Sequence, residues 1–512
     1  MKKPAAQFFG ERSVYVGDIH NHCGISYGHG SLEEALANAQ AQLDFAAVTG
    51  HAGWPDMGDR AMGAALVDYH ESGFDKLHEN WPAYTRAVEA AHRPGEFVTF
   101  FSFEFHSFRY GDRTIITPNL PDAPWPIADP DTFGRLLTEH DARDSAALLL
   151  PHHIGYRTGY RGIDWDSVRD AASPLVEILS MHGLAEEDET GLFPYMHTMG
   201  PLHGANTMQA GLAAGHHFGV TASTDHHAAH PGSYGYGRTA VWAEELTREA
   251  IWQALLDRRT YALSGDRIEL RFAAAGAPLG SAVSAGAGPR LIEAEIRGGG
   301  ALDRVEVLKN NRVIHRVMRE AVRGSRALPA RGILFLEFGW GAKGEAFRWD
   351  IDVQLHGGEL VSVEPRLRGV DVVDPLDDAE QPKQFSEWRR TGDRSVHLET
   401  VTTGNATATT RQTQGVALEI EADDKTRLSV SANGSTFTFG IPEVLSGSET
   451  TYTGGFGSPA IRVHRFVTDE ERSCSIRFED EGPELDEDWY YLRVYQTNGQ
   501  AAWSSPVWVS RS

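Results

Sequence analysis

The sequence predicts an α/β first half followed by a β-sandwich-like second half, on three observations. Up to about residue 265, short apolar runs alternate with helix-like segments, and each apolar run closes on a histidine, glutamate or aspartate. Beyond that point the texture changes to short alternating runs between turns rich in Gly, Ala, Thr and Ser. Strands alternating with helices predict a mostly parallel sheet or barrel, and short alternating strands between turn signals predict a sandwich. The expected domains are residues 1–265 and 266–512, with a linker or excursion at about 370–395, where Asp, Pro and Gln gather.

The strand candidates are read from the residues they deliver. VYVGDIHNH brings His20 and His22, DFAAVTGH brings His51, and FVTFFSFE brings Glu104. AALLLPHH brings His152 and His153, PLVEILSMH brings His182, and GVTASTDHH brings Asp225, His226 and His227. Parallel strands put their C-terminal ends on one face, so these side chains are expected to meet in a metal site. Between the first two runs, SLEEALANAQAQL (31–43) opens with Ser31 and Glu34 as a capping box and carries Leu32, Ala35, Leu36, Ala39 and Leu43 on one helical face. Trp81 to His92, with Pro82 in the first turn, and residues 248–260 predict further helices. In the second half, LIEAEIRG, DRVEVLKNNRVIHRV, FRWDIDVQL and WYYLRVYQ are the strand candidates.

A chain of 512 residues is too long for one core and predicts roughly two to four domains. With 47 basic against 71 acidic residues the formal charge is −24, which argues against a nucleic-acid partner and favours a small substrate. Only Cys23 and Cys474 occur, so no disulfide framework is expected and a reducing compartment is compatible. The start MKKPAAQFFGERSVY lacks an apolar stretch and no later run reaches membrane-spanning length, so the expectation is a cytoplasmic protein without a membrane partner.

His20 and His22 stand two apart, and in an extended strand such residues face the same way, so both rings reach one cation. Asp225 and His227 repeat the spacing with a carboxylate, while His226 points elsewhere and reads as a donor behind the ligands or a surface residue. Glu104 closes a run too apolar for an exposed strand, so it is paired or metal-bound: either a salt bridge to Arg109 or Arg113, or, taken with the histidines, a bridging carboxylate. Adjacent His152 and His153 leave room for one ligand, with His153 favoured and the other packing behind it. His182 is a ligand or a loop histidine, and so is His29 in SYGHGS. Cys23 reads as a small buried hydrophobe rather than a thiolate ligand.

GDIHNHCG, AVTGHA, FSFEF, PHHIG and STDHH, in that order and spacing, resemble the motifs of the PHP superfamily, named for polymerase and histidinol phosphatase domains. The resemblance covers about the first 265 residues and implies a distorted (β/α)7 barrel holding two or three divalent ions of zinc, manganese or iron. It implies His20, His22, Glu104 and Asp225 for a first metal, Glu104 as bridge with His153 and His182 for a second, and His29, His51 and His227 for a third. Glu104, Asp225 and His227 are expected to serve catalysis as well. The chain departs from the pattern at Gly50, where an Asp usually precedes the motif histidine, and in the spacing of His20 and His29; both departures bear on the third metal. GYGRTAVWAEELTREAIWQAL, RRTYALSGDRIEL and AAWSSPVWV are similar to a subgroup of large PHP-like proteins with a C-terminal β domain, described only as of unknown function.

The expected activity is hydrolysis by a metal-activated hydroxide at a multinuclear site: a phosphoesterase for small phosphomonoesters or diesters, extending to phosphotriesters. An anionic ester needs further positive groups, and the loops after the ligand strands supply Arg109, Arg113, Arg157 and Arg161 with Tyr156 and Tyr160 nearby. Residues 105–144 and 182–215 are candidate walls or lids. The alternatives are hydrolysis of a lactone, amide or sulfate ester, and a metal-stabilised binding protein whose β domain docks glycans or a partner.

Overall fold

The computed structural model describes residues 5–58, 63–189, 199–319, 327–370, 385–405 and 411–512. It is a mixed α/β, strand-rich structure. The first half contributes β1 (Ser13–Asp18), β2 (Phe45–Ala46), β3 (Gly50–Gly53), β4 (Val98–Thr99), β5 (Phe101–Phe105) and β6 (Arg113–Thr117). It continues with β7 (Leu148–Pro151), β8 (Leu175–Ser180), β9 (Gly183–Leu184), β10 (Gly219–Ala222), β11 (Arg238–Ala243) and β12 (Thr260–Leu263).

These strands form three ladders. β1 runs parallel to β2, and β2 to β4, while β11 pairs antiparallel with β1 and with β12. β3 runs parallel to β5, and β6 lies antiparallel between β5 and β7. β8 runs parallel to β10 and turns back on β9. The ladders stand edge to edge, with β7 beside β8 and β10 beside β11 and β12, yet among the described residues no closed barrel forms. One reason is local. Between β2 and β3 the chain bonds to the end of β1 and then to the loop after it, the Ala47 amide donating to the Asp18 carbonyl and the Thr49 amide to that of Asn21, so pairing follows the loop that carries the first histidines.

The helices differ in length from expectation. α1 (Leu32–Gln42) opens as expected, with the Glu34 amide donating to Ser31 Oγ and the Ser31 amide to the Glu34 carboxylate. α2 runs from Ala64 to Ala91, so Pro82 lies in its interior rather than its first turn. Val67, Phe74, Leu77, Trp81, Tyr84 and Val88 form one buried stripe along it, and that packing carries the helix through the backbone bond proline removes. The segment 105–144, expected as wall or lid, contains β6 and α3 (Pro130–Glu139). The helix expected over 248–260 spans Arg248–Leu256 and stops short of residue 260, where Arg258 turns left-handed at φ +57° and the chain enters β12.

Among the described residues, strands on either side of residue 265 hydrogen-bond to one another. β12 pairs with Ala501–Ser504, and through Glu487–Gln496 and Leu302–Lys309 the first ladder grows into an eleven-stranded sheet. A six-stranded and a five-stranded sheet, drawn from residues 330–468, share a second buried apolar cluster that includes Leu336, Phe338, Trp349, Ile351, Val353 and Leu418. Ala346–His356 shows how: Trp349, Ile351, Val353 and Leu355 turn inward while Arg348, Asp350, Asp352 and Gln354 face out. Of the stretch expected as a linker, 371–384 lies outside the described residues, and Ser386–Gly392 is a strand paired with Ser395–Thr403, because Trp388 packs on this cluster and donates its indole N–H to the Ala41 carbonyl at the end of α1. No helix among the described residues is long and apolar enough to cross a membrane.

Candidate metal centre

Two loops, 18–29 after β1 and 223–232 after β10, are zipped together by backbone bonds. The Asp225 amide donates to the His20 carbonyl, the His22 amide to His226, the Ala229 amide to His22 and the His29 amide to His227. Buried Asp18 locks the junction, accepting from the Thr224 hydroxyl at 2.5 Å and the Gly232 amide at 2.7 Å. α1 holds the second loop from behind: Asn38 donates to the Ala229 carbonyl and Gln42 to that of Pro231.

Two buried carboxylates stand at the centre, each among imidazoles. Glu104 Oε2 lies 3.1 Å from His20 Nε2 and 3.2 Å from His22 Nε2, and 3.9 Å from His51 Nε2. Its other oxygen lies 3.1 Å from both His152 Nε2 and His106 Nδ1. Asp225 Oδ1 lies 2.9 Å from His22 and 3.3 Å from His20, and Oδ2 lies 3.1 Å from Nε2 of both His153 and His182. His22, His51 and His227 form a further close group. Several rings are anchored from outside: His20 Nδ1 donates to Glu177, Ser26 and Thr114 hydroxyls contact Nδ1 of His51 and His152, and His227 Nδ1 donates to the Asp225 carbonyl. Such anchoring fixes the tautomer and leaves Nε2 toward the cluster.

The crowded atoms satisfy one another only in part: the Glu104 oxygens are in hydrogen-bond geometry with Nε2 of His20 and of His152. His22 Nε2 and Asp225 Oδ2 are buried without a hydrogen-bond partner despite neighbours near 3 Å. Nitrogen and oxygen donors that converge at this distance without full hydrogen-bond satisfaction could hold a shared divalent cation. Charge agrees. Burial opposes ionisation of Glu104 and Asp225, yet the surrounding histidines hold both well below the usual carboxylate range. Burial and neighbouring imidazoles keep His51 and His153 well below the ordinary histidine value, and His227 falls to about 3. His20, despite its burial, is raised by Asp225, Glu177 and Glu104. The two carboxylates thus draw positive charge into the cluster.

Both His152 and His153 reach this cluster, where only one was expected. The left-handed backbone of His153, φ +51°, turns two successive side chains inward. Asp225 is also left-handed, at φ +52°, though neither of its immediate neighbours joins it at the cluster. His29 is half-buried, and among the described residues no hydrogen bond or ion pair engages its imidazole. Cys23 is buried and its thiol is pushed up to about 12 by that burial. His226 turns away from the metal cluster, toward His230 and Gly369.

Of the substrate candidates, Arg161 comes to the cluster. It pairs with Asp112 at 2.6 Å, and its Nη2 donates to His106 Nδ1 at 2.7 Å. Arg113 does not: Thr114 beside it faces the site, so on β6 Arg113 faces the other way, fully buried, its guanidinium donating to the Asp112 carbonyl. Arg109 and Arg157 are exposed, Arg109 near Asp131 and Arg157 over the Tyr160 ring. Tyr156 is buried and spends its hydroxyl on the His182 carbonyl.

Sequence reading passed over His106, Asp112, Glu177 and Tyr27. Glu104 and His106 show the same two-residue spacing as His20 and His22, and Glu177 sits inside an apolar run, so both carried a signal. Tyr27, stacked on His51 with its hydroxyl 2.6 Å from His106 Nε2, carried none.

Similarity to known proteins adds little to this geometry. Residues 183–285 match a family described as a protein of unknown function, DUF3604. That segment contains Asp225 and His227. A protein of Chlamydia pneumoniae described as uncharacterised is 29% identical over 173 residues, 30% of this chain and 27% of that protein. One from Chlamydia muridarum is 25% identical over 169 residues, again 30% and 27%. The chain thus spans about a quarter of the length of the curated relatives it matches. A solved two-domain protein of Bacteroides vulgatus, titled as containing a predicted PHP-like metal-dependent phosphoesterase, overlays 84% of this chain and 96% of its own, at 12% identity and a TM-score of 0.30. So loose an overlay assigns neither fold nor activity.

Proposed function

We propose that the protein is a metal-dependent hydrolase of phosphoric esters with a PHP-type site, its chemistry carried by residues up to about 265. His20, His22, Glu104, His153, His182 and Asp225 would hold two divalent ions, and His51 and His227 would help hold a third. The observation that carries this reading is the pair of buried carboxylates, Glu104 and Asp225, each beside several imidazoles, with Asp225 Oδ2 and His22 Nε2 left without a hydrogen-bond partner between them. Divalent ions bound there supply Lewis acidity, polarising an ester, offsetting developing negative charge and making water a competent nucleophile at neutral pH.

The protein's own groups do the rest. Glu177, Ser26 and Thr114 fix the rings of His20, His51 and His152. Most of the cluster is sealed, and the side chains of His182, His227 and Arg161 keep 17%, 17% and 20% exposure, which marks the substrate's way in. Arg161, held by Asp112, meets the anionic oxygens of the ester there. Tyr156 steadies the His182 loop through its carbonyl.

The test is elemental analysis of the purified chain together with chromogenic phosphate mono-, di- and triesters, a sulfate ester and a carboxyl ester, each with added manganese or zinc. Bound metal and turnover of at least one phosphate ester, lost in Asp225→Ala, are expected. Turnover of the carboxyl or sulfate ester alone would overturn the phosphoesterase reading. Bound metal with no turnover of any ester would favour a metal-stabilised binding protein.

A further inference from the structure

Away from the metal cluster, a cleft in the second half gathers arginines. Two adjoining cavities of about 610 and 920 Å³ share Trp340, Ser448 and Arg462 in their walls. The first is walled by Arg366, Arg368, Arg411, Arg462 and Arg465 against one carboxylate, Glu337, in a chain of net charge −24. Two of these arginines are matched from behind, Arg366 by Asp266 and Glu364 at 3.0 Å each and Arg465 by Glu471 at 2.8 Å. Glu337 is occupied by His464 at 2.8 Å and the Thr413 hydroxyl at 2.5 Å.

That leaves an excess. Buried Arg368 has Glu337 no nearer than 3.7 Å, and among the described residues no ion pair engages Arg411 or Arg462. Arg462 makes one bond, to Ser448 Oγ, and its Nε is buried without a partner. Burial, and after it the charge of Arg411, weakens the hold of Arg368 on its proton against the pull of Glu337. Guanidinium groups gathered without matching acids repel one another, and an anion of bidentate geometry relieves both repulsion and desolvation.

Aromatic rings continue the wall. Trp340 ends its strand at φ +61° between Gly339 at +140° and Gly341 at +88°, a run of left-handed backbone that a bulky residue adopts only under constraint. The outer cavity adds exposed Tyr452, at the end of the strand Glu449–Tyr452, and exposed Phe456, on the turn TGGFGS that follows it. A free phosphate or sulfate would use the arginines and leave these plates idle. An acidic sugar chain uses both, with rings lying flat on aromatic faces and acid groups in guanidinium forks.

We propose that this cleft binds an anionic oligosaccharide, with Arg368, Arg411 and Arg462 taking its carboxylate or sulfate groups and Trp340, Tyr452 and Phe456 the faces of its rings. The test is calorimetric titration of the full chain with trigalacturonate and a sulfated galactose trisaccharide, against maltotriose and inorganic phosphate. At least one acidic trisaccharide is expected to bind tenfold or more tightly than both controls. Arg462→Gln and Trp340→Ala should each weaken it at least tenfold while melting temperature and metal content stay at wild-type values; if Trp340→Ala does not fold, Tyr452→Ala, at an exposed strand end, replaces it. The proposal is overturned if neither acidic trisaccharide binds, if inorganic phosphate or maltotriose binds as tightly, or if the variants bind like wild type.

Discussion

Glu177→Gln and Glu177→Ala separate a carboxylate that orients a ligand from one that merely fills space. Both Glu177 oxygens accept from His20 Nδ1, at 3.2 and 3.1 Å, and the pair is buried, with Glu177 in the middle of β8. A hydrogen bond to a charged group contributes about 1.5–3 kcal/mol, a neutral one about 0.5–1.5. Glutamine keeps an acceptor oxygen and loses the charge, a net loss of about 1–1.5 kcal/mol, so metal affinity should fall roughly five- to tenfold at 1.4 kcal/mol per decade. Alanine removes the acceptor and frees the ring to turn, with a loss nearer 100-fold. Competition with a chromophoric chelator gives the affinities, and melting in excess chelator gives the metal-free stability. Affinities within twofold of wild type for both variants, with metal-free melting unchanged, would refute the idea that Glu177 orients His20 for a cation.

Four further outcomes follow from the same geometry. Arg161→Gln should raise KM for an anionic ester about 10- to 100-fold with a smaller change in kcat, because the guanidinium stands at the rim with Asp112 behind it, and steady-state kinetics check this. Gln42→Ala should destabilise the fold by about 3 kcal/mol in chemical denaturation, since it strips buried Arg238 of a 2.7 Å acceptor and frees the Pro231 carbonyl. Trp349→Ala should cost about 3–5 kcal/mol by opening a cavity in the second cluster and orphaning the Thr402 hydroxyl. Glu337 is opposed by burial but held down to about 2 by His464, Arg368 and Thr413, so its stabilisation is complete above its unfolded value of 4.5 and is lost as pH falls from there toward 2; Glu337→Gln should remove that part of the acid destabilisation, about 3 kcal/mol, in denaturation midpoints measured from pH 6 to pH 2.

Local pattern was enough for some of this molecule and not for the rest. The capping box at Ser31 and Glu34 and the alternation of Ala346–His356 depend on neighbours a few residues away, so spacing alone revealed them. The length of α2 did not follow from spacing, because a stripe packed against the first-half core outweighs the proline at 82. The ladder breaks did not either. They arise where amides 47 and 49 bond to the end of β1 and the loop after it, a pairing across nearly thirty residues.

At the metal cluster the same division holds residue by residue. Residue type and spacing pointed to His20, His22, His51, Glu104, His182, Asp225 and His227 as candidate donors, because the chemistry of a candidate ligand is a property of its own side chain, and the structure brings these side chains together. Direction is another matter. Whether His152 joins His153 depends on a left-handed turn at φ +51°, whether Arg113 or Arg161 reaches the site depends on the face of β6 that Arg113 occupies and on the course of the loop after β7 that carries Arg161, and Glu177 matters only because folding brings it to a ring 157 residues away. Where a side chain points, and what stands behind it, is set by backbone torsions and by contacts between distant segments, and those exist only once the chain has packed.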